Sequence, residues 1–547
     1  MQKPLQNMQS NHSTPAQAPN RPTVREAFVR LMRDLGLDTV FGNPGSTELP
    51  MFRDFPKEFR YVLGLQESVV VGMADGYAQA TRRAALVNLH SAAGVGHAMG
   101  NVFTAYKNQT PLIVTAGQQS RSILPFDPFL SATQATDLPR PYVKWACEPA
   151  RAEDVPLALL RAYHMAMQPP CGPVFLSIPA DDWDRPTDWV QVRHVSHAVA
   201  PEPQAISRVA EALADSRQPV IVVGAGVDRD DAVARLVQLA ERHEAAVVVA
   251  PMSARCGFPE RHRLFQGFLP AMREAIVEAL APHDLILVLG APAFSYHVEG
   301  RGPHIPVSAR LWQIVDDPQV AAWTPCGDSV VSSVGLAVDA LLEGPGPRAG
   351  RVPPAPRPAQ APAEASDPMS AAFALQTLDA VRRPGDVVVE EAPGSRSTMQ
   401  RCLPMEGAQS FYTMASGGLG HGMPASVGIA LARQRQQQAG RVICLIGDGS
   451  SLYSIQALYS AVQWGVPMSF VILNNRRYAA LQDFAPVFGY SQDDKPAGTD
   501  LPGLDFVALA KGHGLAGRRV ERAAELDPAL RAAFEDAGPN LVEIVVN

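Results

Sequence analysis

The sequence predicts an α/β protein built from three doubly wound parallel-sheet domains. The chain has 547 residues, which corresponds to three or four domains at about 150 residues each. Short apolar runs alternate with helical patterns along most of it, as expected when parallel strands are buried on both faces. Glycine-rich turns follow several of these runs, and loops at the carboxyl edge of a parallel sheet are where ligands usually bind.

The composition narrows the class of protein. Hydrophobic residues make up 46% of the chain and charged residues 18%, which is typical of a globular protein with ample core. The net charge of −7 gives no reason to expect nucleic acid or an anionic membrane as a partner. Six cysteines lie scattered without CxxC spacing, which predicts reduced thiols. No apolar window approaches the roughly 18 residues of a membrane helix, so we expect a cytoplasmic protein.

The first domain is expected over residues 22–195. Residues 1–21 should form a disordered extension, because Pro, Gln, Asn and Ser dominate there and the basic start and apolar core of a signal peptide are missing. A helix at Val24–Leu35 follows, with Thr23 as a possible cap. Strands are expected at Thr39–Phe41, Tyr61–Gln66, Ala84–Leu89, Pro111–Thr115 and Gly172–Ile178.

The second domain is expected over residues 200–342. Pro219–Gly226 reads as a strand and a glycine turn, and further strands are expected at Ala245–Ala250 and Asp284–Leu289. The turn resembles a dinucleotide-binding fingerprint but lacks its third glycine. A structural turn between strand and helix is therefore favoured, and an NAD-dependent oxidoreductase is the weaker alternative.

The third domain, residues 368–547, follows a linker at 343–367 that is rich in Pro and Ala. A helical pattern at Ile455–Trp464 lies between two of its apolar runs. The strands are expected at Asp386–Glu390, Arg441–Ile446, Met468–Leu473 and Leu541–Val546.

Two motifs at strand ends of the third domain predict a metal site. Gly447-Asp448-Gly449-Ser450 ends one strand, and Asn474-Asn475 ends the next after 24 intervening residues, 450 to 473. The strand–turn–helix–strand pattern places both ends at one edge of a parallel sheet. Carboxylate and amide oxygens suit a hard divalent cation, Mg²⁺ or Ca²⁺, that accompanies a diphosphate. Ser450 and the start of the following helix could hold that diphosphate.

Three side chains follow strand ends of the first domain. Ser46 lies in a Gly-Asn-Pro-Gly-Ser turn, Glu67 lies at a strand-to-helix junction, and His90 follows a strand directly. Each has a plain structural explanation: a helix cap, a first-turn carboxylate that favours the helix dipole, and a structural histidine. Their common edge favours a ligand site in which Glu67 exchanges a proton with a ligand nitrogen.

The motif Gly-Asp-Gly, 24 residues, Asn-Asn resembles the thiamine-diphosphate-binding motif of the thiamine-dependent decarboxylases. Further strings resemble the benzoylformate decarboxylase family along nearly the whole chain from Pro22 onward. In the second domain the string Gly-Ala-Pro-x-Phe-x-Tyr-His ends at His297. The other strings are Phe41–Glu48, Gln66-Glu67, Leu89–Ser91, Thr115–Gln119, Leu138–Pro141, Lys144-Trp145, Glu148-Pro149 and Asp181–Asp184.

This resemblance implies the thiamine-diphosphate-enzyme fold, with pyrimidine, middle and diphosphate domains. It implies decarboxylation of an aromatic 2-oxo acid, benzoylformate to benzaldehyde and CO₂, through an ylide and an enamine of the cofactor, with carboligation as a side activity. The implied catalytic residues are Ser46, Glu67, His90 and His297. The implied cofactor contacts are Glu67, Gly417, Leu419, Gly449, Ser450, Tyr453 and Tyr478. The implied metal ligands are Asp448, Asn475 and the backbone carbonyl of Arg477, and the implied substrate pocket contains Leu130, Ala480 and Phe484.

In this family the cofactor lies between the first domain of one subunit and the third domain of another, which implies a homo-oligomer; a homotetramer is expected. Two departures affect selectivity: Pro393 stands where the family has a Ser/Thr-rich turn, and the 488–499 segment is longer and more polar. The alternatives left open are a carboligase similar to acetolactate synthase, a decarboxylase of an aliphatic 2-oxo acid, and a non-catalytic nucleotide-binding protein.

Overall fold

The computed structural model describes residues 21–348, 350–491 and 494–547. Three six-stranded sheets form three domains, and every paired strand in them is parallel. The expected fold class is confirmed. Disorder was expected for residues 1–21. Of these, residues 1–20 lie outside the part of the chain that the structure describes.

The first sheet has the order β2-β1-β3-β4-β6-β5. Its strands are β1 Thr39–Gly42, β2 Arg60–Leu63, β3 Ala85–Leu89, β4 Leu112–Gln118, β5 Ala146–Cys147 and β6 Val174–Pro179. Its helices are α1 Val24–Leu35, α2 Leu49–Phe52, α3 Glu67–Thr81, α4 Ser91–Asn108 and α5 Val155–Met167. Thr23 caps α1 together with Glu26 in a reciprocal pair of hydrogen bonds. The strand expected to reach Gln66 ends at Leu63, because Gln66 instead caps α3.

The second sheet has the order β12-β11-β10-β7-β8-β9. Its strands are β7 Pro219–Val223, β8 Ala246–Val249, β9 Phe265–Phe268, β10 Leu285–Leu289, β11 Arg310–Val315 and β12 Asp328–Val331. Its helices are α6 Pro203–Asp215, α7 Ala225–Arg229, α8 Val233–His243, α9 Arg273–Leu280, α10 Pro318–Trp323 and α11 Val334–Glu343. A Cβ on Gly226 would lie 2.7 Å from the Cα of Gly290. The close approach of the chain's own backbone thus explains this glycine structurally.

The third sheet has the order β14-β13-β15-β16-β18-β17. Its strands are β13 Val387–Glu391, β14 Phe411–Thr413, β15 Val442–Gly447, β16 Met468–Asn474, β17 Ala516–Val520 and β18 Asn540–Val545. Its helices are α12 Ala371–Val381, α13 Arg396–Cys402, α14 Gly422–Arg435, α15 Asp448–Ser451, α16 Ala457–Trp464, α17 Ala479–Phe484, α18 Phe506–Gly512 and α19 Ala523–Glu535.

The first and third domains share one hydrophobic core, in which α3 packs against α14. The two helices approach closely because glycines face backbone: a Cβ on Gly76 would lie 2.1 Å from the carbonyl oxygen of Ala425. At the middle domain, buried Arg255 donates to Asp228 and to Gln79 of the first domain and lies over the ring of Tyr412 in the third. These contacts hold the three domains in a fixed arrangement. None of the described helices is long and apolar enough to cross a bilayer.

Candidate active site

Asp448 lies at the carboxyl edge of the third sheet. It follows β15, whose last residue Gly447 pairs with Leu473 of β16, so the two motifs predicted from the sequence meet. The side chain is 3% exposed. Its Oδ1 accepts the N–H of Gly449 at 2.8 Å, whereas the buried Oδ2 has no hydrogen-bond partner among the described residues. Burial raises the pKa of Asp448, and the N–H groups of Gly449 and of the chain after Asn475 oppose that rise.

Asn475 and Arg477 complete this donor set. The Asn475 Oδ1 accepts the N–H of Arg477 at 3.2 Å, which points the amide oxygen into the turn. A neighbouring segment of the same chain pairs with this turn through the N–H of Tyr478 and the carbonyl of Arg476. The Arg477 carbonyl takes no part in this pairing. An unpartnered carboxylate oxygen, an amide oxygen and a backbone carbonyl at one sheet edge fit a hard divalent cation.

A shelf of small residues borders this donor set. Ser450 is buried in the single turn α15 that begins at Asp448. A Cβ on Gly449 would lie 2.3 Å from a ring carbon of Tyr478, so only glycine fits there. Tyr453 is 56% exposed, and its Cβ lies 3.0 Å from where a Cβ on Gly420 would stand. The structure therefore places these predicted cofactor residues together.

The glycine loop that carries Gly417 and Leu419 is held by Glu391, a residue to which the sequence analysis gave no role. Glu391 is fully buried at the end of β13 and accepts the N–H groups of Gly420 at 2.7 Å and His421 at 2.8 Å, and also that of the next residue. Burial raises its pKa to about 7. This anchor fixes the start of α14 and presents the half-buried Leu419.

In the first domain, Glu67 is the first residue of α3. Its side chain is 13% exposed. One carboxylate oxygen lies 3.3 Å from Nδ2 of Asn43 and the other 3.2 Å from Nδ1 of His97. Ser46 lies exposed in the preceding turn. Ser46 thus follows the carboxyl end of β1, and Glu67 follows the carboxyl end of β2.

His90 directly precedes α4, and Glu48 fixes its orientation. No role was predicted for Glu48 from the sequence. The His90 Nδ1 lies 2.8 Å from the Glu48 Oε2. Glu48 is 1% exposed and also accepts the N–H of Gly45 at 2.9 Å, the hydroxyl of Thr47 at 2.6 Å and the N–H of Gly117 at 2.9 Å. A carboxylate with this many donors is rigid, so it directs the opposite ring nitrogen of His90 away from the protein core.

The loop after β4 lies over the start of α4. The Ser91 hydroxyl donates to the carbonyl of Leu130 at 2.6 Å, and Leu130 adopts a left-handed backbone conformation with φ 66°, which is uncommon for a branched side chain. The predicted pocket residue Leu130 is therefore held next to His90.

His297 and Phe484 come from different domains and stack, with ring centroids 4.7 Å apart and an interplanar angle of 10°. A turn that begins at Pro393 packs nearby, since a Cβ on Gly394 would lie 3.3 Å from the backbone nitrogen of Ala480. The predicted pocket residues Phe484 and Ala480 thus form one wall together with His297 and the turn at Pro393, whose sequence differs from that of the family.

The predicted residues form two groups. Ser46, Glu67 and His90 make one group in the first domain, and the metal motif, the glycine loop, His297 and Phe484 make the other. Among the described residues, no hydrogen bond or ion pair joins the side chains of Glu67 or His90 to Asp448 or Asn475.

Three family descriptions match the chain in order. They are "Thiamine pyrophosphate enzyme, N-terminal TPP binding domain" at residues 22–137, the central domain of the same enzymes at 206–341, and their C-terminal TPP binding domain at 394–544. Fold and site together thus define a thiamine-pyrophosphate enzyme.

Individual relatives narrow this class. The chain is 44% identical to the benzoylformate decarboxylase of Pseudomonas aeruginosa over 95% of this chain and 98% of that protein. It is 26% identical to an acetolactate synthase large subunit of Haemophilus influenzae, over 93% and 91% of the two chains. The structure superposes on the benzoylformate decarboxylase of Polynucleobacter necessarius with a TM-score of 0.92, 40% identity and coverage of 96% and 98%. It also superposes on a 4-hydroxybenzoylformate decarboxylase of Rhodococcus jostii RHA1 with a TM-score of 0.91 and 39% identity, over 96% of this chain and 99% of that chain.

The chain belongs to the benzoylformate decarboxylase family of thiamine-diphosphate-dependent enzymes. The acetolactate synthases are more distant relatives.

Proposed function

We propose that this protein catalyses the non-oxidative decarboxylation of an aromatic 2-oxo acid, benzoylformate to benzaldehyde and CO₂, with thiamine diphosphate and Mg²⁺. The observation that carries the proposal is the metal and glycine-loop geometry around Asp448, together with the high identity to a benzoylformate decarboxylase. The stacked pair of His297 and Phe484 supports an aromatic substrate. Joining of two aldehydes is the expected side activity.

The buried, unpartnered Asp448 Oδ2 supports a bound cation, because such an atom is costly without a partner. Asp448, Asn475 and the carbonyl of Arg477 would hold Mg²⁺, with Ca²⁺ as a substitute. Gly449, Ser450 and Tyr453 would bind the diphosphate. When bound, thiamine diphosphate supplies an electron sink for the pair released as CO₂ leaves.

The remaining cofactor residues would orient the cofactor, and Glu67 would also exchange a proton with it. Leu419, presented by the Glu391-anchored loop, would support the cofactor on its apolar side, with Gly417 and Tyr478 beside it. Glu67 would hold a proton at the pyrimidine nitrogen through its carboxylate, as its half-buried position at the start of α3 allows.

His90 and His297 would transfer protons to and from the substrate, and Ser46 would bind the substrate carboxylate. Because Glu48 occupies the Nδ1 side of His90, the Nε2 atom is the one available for proton transfer. Imidazoles titrate near neutral pH and can act in both directions. Leu130, Ala480 and Phe484 would enclose the aromatic ring.

The resemblance to benzoylformate decarboxylases supports a homo-oligomer in which the first domain of one subunit faces the third domain of another. We propose a homotetramer. Mixing Glu67→Gln subunits with Asp448→Asn subunits tests the shared site, because hybrids would regain one intact site. No regained activity in verified hybrids would contradict the shared site.

A cytoplasmic location is supported by the six free cysteines.

The substrate is tested with a panel of benzoylformate, 4-hydroxybenzoylformate, pyruvate and a branched-chain 2-oxo acid. We expect the aromatic acids to give the highest kcat/KM, with aldehyde release that requires thiamine diphosphate and a divalent cation. Turnover confined to aliphatic acids would overturn the assigned substrate class, and no decarboxylation despite cofactor binding would overturn the reaction.

A further inference from the structure

A cavity lies in the first domain, on the side of α5. It has a volume of about 680 Å³, is open to solvent on one side, and is lined by α5 and by the segment 193–199 that leads to the middle domain. None of the residues given roles above lines it. Its size is in the range of sites for small organic ligands.

The cavity combines apolar walls with unbalanced positive charge. Leu157, Leu160 and Val195 form much of the wall, while Arg161 and Arg193 supply guanidinium groups. Within the described part of the chain, neither arginine has a carboxylate within 4.0 Å, and no Asp or Glu lines the cavity.

His164 supplies an independent observation. Both of its ring nitrogens are buried and have no hydrogen-bond partner among the described residues. An imidazole always has a donor or an acceptor to satisfy, and buried polar atoms left unpaired usually face water, an ion or a ligand. His197 lies beside it, with ring centroids 6.0 Å apart.

The fixed charges that act on these histidines are positive: Arg193 acts on His164, and Lys144 acts on His197. Burial lowers the pKa of His164, followed by Arg193, His197 and His194. Burial also lowers the pKa of His197, followed by Lys144 and His194. Lys144 itself is occupied with the last carbonyls of α5, including that of Met165 at 2.6 Å. The cavity is thus prepared for negative charge from outside the chain.

We propose that this cavity binds an organic anion with an apolar body and one acidic head group, a carboxylate or a phosphate monoester. Arg161 and Arg193 would bind the head group, since guanidinium forks match such oxyanions. His164 would add a hydrogen bond, and Leu157, Leu160 and Val195 would cover the apolar body. The site is separate from the thiamine-diphosphate site and does not depend on the proposed reaction.

Binding at this cavity would also stiffen the link between domains. Val199, at one end of the lining segment, donates its N–H to the Ser333 hydroxyl at 3.0 Å and accepts the Ser333 N–H at 2.9 Å. Ser333 directly precedes α11 of the middle domain. A ligand between α5 and this segment would therefore raise the melting temperature of the protein.

The test is calorimetric titration of the cofactor-loaded enzyme with octanoate, octyl phosphate, octanol and inorganic phosphate. We expect one octanoate or octyl phosphate per chain, bound at least about tenfold more tightly than octanol or phosphate. Octanoate alone would define a carboxylate site, and octyl phosphate alone a phosphate-ester site. Equal affinity for octanol or for inorganic phosphate would overturn the proposal.

Variants locate the site. Arg161→Gln/Arg193→Gln should weaken binding at least about tenfold, whereas Arg310→Gln, an exposed arginine at the start of β11, and His90→Ala should leave it unchanged. Leu157→Trp, at an exposed position of the wall, should fill the cavity and block binding with all charges retained, which guards against misfolding of the double variant. Binding that survives both cavity variants, with thermal unfolding like that of the wild type, would refute the assignment.

Discussion

Glu48 is expected to determine which ring nitrogen of His90 carries the proton. The substitution Glu48→Gln tests this expectation. The carboxylate accepts donors on both oxygens: Thr47 and Gly117 on Oε1, Gly45 and His90 on Oε2. A glutamine has the same shape but only one acceptor oxygen. In either orientation its NH₂ group therefore faces a backbone N–H that it cannot accept.

The magnitude follows from that count. One buried N–H left unpaired costs about 1–3 kcal/mol, so the free energy of unfolding should fall by about that amount. With its NH₂ on the Oε2 side, the glutamine would donate to the His90 Nδ1 and shift the ring proton to Nε2, the atom assigned to the substrate. Loss of the charge-assisted bond, about 1.5–3 kcal/mol, corresponds to a fall in kcat/KM of about 10- to 150-fold.

The assay is steady-state release of benzaldehyde from benzoylformate across pH, paired with thermal unfolding. Glu58→Gln is the matched control, because Glu58 is an exposed glutamate that pairs only with Arg33 among the described residues, and such surface pairs contribute little. A Glu48→Gln enzyme whose kcat/KM stays within about twofold of wild type would refute the role assigned to Glu48.

Three further predictions concern the third domain. Asp448→Asn should abolish the rise in melting temperature on adding thiamine diphosphate and Mg²⁺, while the cofactor-free variant is at least as stable, because burial raises the pKa of Asp448 and disfavours its charge; a retained rise would contradict the metal assignment. Phe484→Ala should weaken kcat/KM for benzoylformate about 2- to 10-fold relative to pyruvate, through loss of the ring that stacks on His297; equal losses for both acids would count against an aromatic wall. Glu391 has a folded-state pKa raised from 4.5 to about 7, so its contribution to stability is complete below pH 4.5 and lost as the pH rises through about 7. Glu391→Gln should flatten the pH dependence of thermal unfolding in that window, and an unaltered slope there would exclude Glu391 as its source.

Apart from β11, the interior strands of the sheets could be predicted from the sequence, and most of the edge strands could not. Central strands such as β10 and β16 are buried along their whole length, so they appear as continuous apolar runs. The unpredicted strands β5, β9, β12, β14 and β17 all lie at sheet edges. β12 and β17 are mostly exposed and carry polar residues, so they lack that pattern. The unpredicted β11 lies one place inside the edge and contains Arg310 and Gln313.

The candidate site divides in the same way. Asp448 and Asn475 were predictable because local spacing sets both the motif and the strand ends. The roles of Glu48 and Glu391 depend on donors distant in the sequence, Gly117 for the first and the 420–422 backbone for the second. Charged residues inside apolar surroundings that follow a strand end were the available signal, but only the fold identifies their partners.

The measurement that tests the central claim most directly is CO₂ release from benzoylformate by cofactor-free enzyme reconstituted with thiamine diphosphate alone, Mg²⁺ alone, or both. The same series is run on Glu67→Gln. We predict full turnover only with both additions, and a strongly reduced rate for the variant although it retains a cofactor-dependent rise in melting temperature. Turnover that is independent of thiamine diphosphate, or equal in Glu67→Gln, would contradict the account.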